Sequence, residues 1–75
     1  MSQKVKRQIF AIILNCNSES SFIDDYLAKY YPIKVWDGRF AFKMREKNPS
    51  EFDIKQEEFH WQIAYETLLA NSIIS

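Results

Sequence analysis

The sequence predicts an α+β fold in which an antiparallel sheet carries two helices on one face. Three observations predict it. Residues 4–14 form a β-branched and aromatic run, residues 33–44 hold an Asp-Gly turn between two alternating stretches, and two further segments repeat their apolar residues at spacings of three and four.

Residues 4–14 read KVKRQIFAIIL, and their second half is apolar at every position, as expected of a central strand covered on both faces. A run this short also satisfies a helix on periodicity alone. The following NCNSESS is a cap-rich break. Ser21 can cap a helix with Asp24 reaching back, and that helix runs to about Tyr30. Phe22, Ile23, Tyr26, Leu27 and Tyr30 make its apolar face, while Asp24, Asp25 and Lys29 face water. Pro32 ends it, because the residue before a proline is pushed out of helical geometry.

In IKVWDGRFAFKM, Asp37-Gly38 suits a two-residue hairpin turn. That turn pairs Trp36 with Arg39, Val35 with Phe40, Lys34 with Ala41 and Ile33 with Phe42. Ile33, Val35, Phe40 and Phe42 then share one face, and Lys34, Trp36, Arg39, Ala41 and Lys43 the other. REKNPSE is a solvated connector into a second helix, which starts either with Asn48 as cap and Pro49 in the first position, or at Asp53 with Gln56. This helix continues to about Ala70 or Asn71, and the apolar Ile73 and Ile74 suggest a brief fourth strand over residues 72–75. The order β-α-β-β-α-(short β) is the ferredoxin-like plan, within one domain spanning residues 1–75.

Composition bounds the function. Seventy-five residues are about half of a usual domain of ~150, and 47% of them are apolar, with six Phe, four Tyr and two Trp against a single Gly, which excludes a disordered tail. One cysteine excludes an internal disulfide and a Cys-rich zinc site and points to a reducing, cytoplasmic compartment. Lys4, Lys6 and Arg7 ahead of an apolar run and Cys16 imitate a lipoprotein leader. The run Ile9–Leu14 falls short of the roughly 7–15 residues of a signal core, however, and the polar Asn15 stands where a small residue is needed. No stretch reaches the ~20 apolar residues of a membrane span.

Catalytic groups are few. Cys16 has no local base, since the only histidine, His60, lies in another element. Glu57 and His60 make the Glu-x-x-His half of a di-iron motif with no second histidine to complete it, so a polar helix face is the expectation, with no metal and no cofactor. Adjacent acids at Asp24-Asp25 and Glu57-Glu58 diverge by about 100° on a helix and cannot share a substrate. An enzyme is not expected.

Two surfaces look used. On the second helix, Ile54, Trp61, Ala64, Tyr65, Leu68 and Leu69 form an arc suited to packing, while Phe52, Phe59, Ile63 and Ala70 cluster on the opposite side. On the outer sheet face, Lys34, Trp36, Arg39 and Lys43 join Arg7, Ile9, Ala11 and Ile13 as an apolar centre ringed by basic groups. The zero net charge hides a division: residues 1–47 hold nine basic and five acidic side chains, a net +4, and residues 48–75 hold one and five, a net −4. The expectation is a small non-enzymatic protein-binding module, a regulator or inhibitor that meets a protein partner and self-associates, through Lys34, Trp36, Arg39, Lys43, Phe52, Phe59 and Ile63. The alternative is a nucleic-acid-binding protein using the basic sheet face, with Trp36 as stacking platform.

Overall fold

A computed structural model describes residues 1–36 and 38–74. The order is α1 (Gln3–Leu14), α2 (Phe22–Lys29), β1 (Tyr30–Lys34), β2 (Phe40–Met44) and α3 (Glu51–Ala70), with β1 and β2 forming a two-stranded antiparallel sheet. This overturns the ferredoxin-like plan. The segment expected to be the first strand is a helix, and the expected strand over residues 72–75 is replaced, through residue 74, by a turn; Ser75 lies outside the described residues.

The start and stop of α1 are written in its flanks. Ser2 is extended and its hydroxyl accepts from the Val5 N–H at 3.2 Å. Asn15 adopts left-handed geometry (φ 54°, ψ 54°), so that its N–H donates to Ile12 O and the Cys16 N–H donates to Ala11 O, the paired bonds of a Schellman ending. Twelve residues are also too many for an ordinary strand. α1 buries Ile9, Phe10 and Ala11, which leaves none of these on an outer sheet face. Arg7, expected there as well, ties α1 to the next segment: its guanidinium donates to Ser18 O and Ser20 O, each at 2.9 Å, and pairs with Asp24.

The hairpin forms one residue out of the expected register. Tyr30 pairs with Met44, Tyr31 with Lys43, Pro32 with Phe42, Ile33 with Ala41 and Lys34 with Phe40. At the tip the Val35 N–H donates to Arg39 O at 3.0 Å and the Arg39 N–H to Trp36 O at 2.8 Å, with Gly38 at φ 75°. Because side chains alternate, the slip moves a whole strand to the other face relative to its partner. Phe40 and Phe42 therefore share a face with Pro32 and Lys34, while Ile33 lies opposite Ala41 on the face that carries Lys43. Phe42 meets Phe10 of α1 and Tyr26 of α2, at centroid distances of 5.1 and 5.6 Å, and Tyr31, on the other face, lies 5.9 Å from the His60 ring of α3.

Helix α3 starts later than the Asn48 cap and earlier than the Asp53 cap. Ser50 is the cap, with a reciprocal box in which the Asp53 N–H donates to Ser50 Oγ at 3.1 Å and the Ser50 N–H to Asp53 Oδ2 at 3.0 Å. It ends at Ala70. Ser72 (φ 57°) then donates to Leu69 O and Ile73 to Leu68 O, a second Schellman closure that turns the tail back and half-buries Ile74 against the core. Every element except β2 contributes fully buried residues to that core, which gathers Ile9, Phe10, Ile23, Leu27, Tyr31, Trp61, Ala64 and Leu68 around the Trp61 indole.

Candidate functional site: the outer stripe of the third helix

About two turns of α3 fix which of its sides is free. Trp61, Ala64 and Leu68 are buried, and they define the inner arc. At 100° per residue, Phe52, Phe59, Ile63 and Ala70 fall together on the far side of the helix. Phe52 is 67% exposed and Phe59 59% exposed, Ala70 is exposed, and Ile63 is half-buried. None of the described residues folds over the two phenylalanines. The inner arc is narrower than its sequence pattern suggested, since Ile54 and Leu69 are exposed and Tyr65 is half-buried. Lys55 and Glu66 border the stripe on one side, and Gln56 and Thr67 on the other.

Beside the stripe, a cleft of about 240 Å³ opens between the start of α3 and the end of β2, lined among others by Tyr31, Lys43, Met44, Phe52, Asp53 and His60. Hydrogen bonding to the carboxylate from the Ser50 backbone N–H first and the Ser50 hydroxyl second, with Lys43 adding a smaller pull, holds the Asp53 carboxyl below its usual range. His60 Nδ1 is buried without a hydrogen-bond partner among the described residues.

Glu57 and Arg45 define the back of this region. Arg45 was expected in a solvated connector and Glu57 on a polar helix face. Instead the guanidinium forks onto the carboxylate, the Trp61 Nε1–H donates to Glu57 Oε2 at 3.2 Å, and Arg45 also bonds Leu27 O. Glu57 is thus held in an ion pair, and no cluster of three metal-ligating side chains occurs among the described residues. Cys16 lines a different, open depression with Gln8, Ile12 and Ile73.

The expected basic platform does not assemble. Lys34 and Lys43 lie on opposite faces of the hairpin, Arg39 is exposed near the tip, and Trp36, 73% exposed, stands at the turn rather than on a sheet face. Of the seven residues expected to make contacts, the structure brings Phe52, Phe59 and Ile63 onto one surface and leaves Lys34, Trp36, Arg39 and Lys43 dispersed around the hairpin. Sequence reasoning missed Arg45 because a clip between distant elements has no local pattern; the flanking Lys55 and Glu66 were legible from the helical wheel. No helix among the described residues is long and apolar enough to cross a membrane. No protein-family model, curated protein or solved structure matches the chain.

Proposed function

We propose that this chain is a small non-enzymatic binding module that engages protein through the outer stripe of α3, in the reducing setting that its single half-buried thiol suits. One observation carries the reading: Phe52 and Phe59 stand in water on the same side of a well-capped helix whose opposite side supplies the core. Exposing two aromatic rings costs solubility and returns no packing, and contiguous apolar surface of this kind marks contact sites. The polar groups that could have served chemistry are employed in holding the fold, Glu57 by Arg45 and Arg7 by the chain around Ser18 and Asp24. A nucleic-acid platform has no comparable support, since the described cations of the hairpin point in different directions.

The test is a photo-activated phenylalanine analogue at position 59, with the same analogue at the exposed Glu19 as control, in cells that make the protein. Protein adducts at position 59 well above those at position 19 are the expected result. Adducts no more frequent than the control, or adducts to nucleic acid alone, would overturn the reading.

A further inference from the structure

The spacing of residues along the outer stripe, seven, four and seven positions, is the same read in either direction. About Trp61 as midpoint, Phe52 and Ala70 lie nine positions to either side, and Phe59 and Ile63 lie two positions to either side. A helix laid antiparallel on its own copy, with the two-fold axis level with Trp61, therefore sets Phe52 against Ala70 of the other copy and Phe59 against Ile63 of the other copy. Each contact matches a large ring with a smaller side chain, which is what two packed helices need to approach closely.

The flanks obey the same symmetry. A two-fold axis across the helices keeps each flank on its own side, so Lys55 on one copy comes level with Glu66 on the other, and Glu66 on the first with Lys55 on the second. On the opposite flank Gln56 comes level with Thr67. In the parallel alternative Phe59 meets Phe59, and a two-fold axis along the helices sets the Lys55 and Glu66 flank of one copy beside the Gln56 and Thr67 flank of the other, which pairs no opposite charges. Lys55 and Glu66 are exposed, and among the described residues each is partnered one helical turn away, Lys55 by Glu51 at 3.7 Å and Glu66 by Gln62 at 3.3 Å.

We infer that the occupant of the stripe is a second copy of this chain, docked through an antiparallel, two-fold symmetric contact between the two α3 helices. The inference rests on the protein-contact reading above and names its partner and geometry.

Charge reversal tests the geometry without touching the apolar seam. Sedimentation equilibrium of the full chain at low salt is expected to show a concentration-dependent dimer. Phe59→Asp should weaken it at least ~30-fold, the effect of an interface hot spot, with Phe52→Asp as a second variant on the same stripe. Lys55→Glu and Glu66→Lys should each weaken it by about 5-fold, because each single change sets two like-charged pairs face to face. The double variant should return to within about 3-fold of the original protein. Circular dichroism of every variant confirms that α3 persists. A dimer lost in Phe59→Asp but not rescued in the double variant overturns the antiparallel register while leaving the stripe as a contact surface. A chain that stays monomeric at every concentration overturns the second copy as occupant, and adducts at position 59 to other proteins would then keep the broader reading. A dimer indifferent to both Phe59→Asp and Phe52→Asp overturns the inference, and with adducts at position 59 no more frequent than the control both readings fall.

Discussion

Arg45 meets Glu57 fork to fork, Nε to Oε1 at 2.8 Å and Nη2 to Oε2 at 2.9 Å, and the same carboxylate accepts from the Trp61 indole. This joins the exit of the hairpin to α3, and the guanidinium's further bond to Leu27 O adds the last turn of α2. The side chains of the pair are 29% and 20% exposed, between an open surface pair, worth under about 1 kcal/mol, and a fully buried one, whose disruption costs about 3–5 kcal/mol.

Arg45→Met is accordingly expected to cost about 2 kcal/mol in urea unfolding. Arg45→Lys should recover less than half of that, because an ammonium cannot present two parallel donors. The control is Lys55→Ala, which removes an exposed pair one helical turn long and should shift stability by no more than about 0.5 kcal/mol. Equal losses in the lysine and methionine variants would mean that charge contributes nothing and only the fork matters; no loss in either would refute the clip.

Gly38 sits at φ 75°, and a Cβ built there meets no atom within 4 Å. The cost of a side chain is therefore a backbone cost alone. Gly38→Ala should lose about 1 kcal/mol, and the β-branched Gly38→Val about 2 kcal/mol, both read as lowered melting temperature. An unchanged melting temperature in Gly38→Val would contradict the positive φ at the hairpin tip.

Acid should weaken the start of α3. The hydrogen bonds from Ser50 favour the Asp53 carboxylate, so its pKa in the fold lies below the ordinary value of 3.8. A depressed carboxyl contributes stability that is fully present above that ordinary value and is lost as pH falls through the lower folded one. Between pH 5 and pH 2 the original protein should therefore lose more stability than Asp53→Asn, which has no carboxyl to protonate. Parallel unfolding profiles of the two proteins across that range would show that the box does not favour the charged form.

The two sides of α3 should respond oppositely to substitution. Trp61 is 0% exposed and its ring lies 5.1 Å from that of Phe10, so Trp61→Ala should cost about 3–5 kcal/mol and leave little folded protein. At concentrations low enough to keep the chain monomeric, Phe59→Ser should change stability by no more than about 0.5 kcal/mol, because the ring it removes is largely exposed. Comparable losses in both variants would mean that Phe59 belongs to the core.

What the sequence makes legible depends on how local each feature is. The second helix over Phe22–Lys29, the long last helix to Ala70 and the turn at Gly38 follow from spacings and residue types within a few positions of one another. α1 was misread because Ile9, Ile12 and Ile13 favour strands in isolation, whereas packing around Phe10 decides the matter in the fold. Its helical signals were present in Ser2 and Asn15, the two caps, and in a length beyond that of ordinary strands. The hairpin register turned on one residue at the tip, too small a difference for alternation to resolve when both faces of the sheet are partly covered. Phe52, Phe59 and Ile63 could be placed on one stripe from the helical wheel alone, but whether another segment covered them was a tertiary question.

The Phe10–Trp61 contact joins positions fifty-one residues apart, whereas the hairpin and each helix close over a few. Bringing distant positions together costs more chain entropy than forming a turn, so the clasp between first and last helix should be the slower event. Once made, it leaves no helix free to melt alone without uncovering the core. The molecule should then open as a unit, and a blow to either end would be felt at the other.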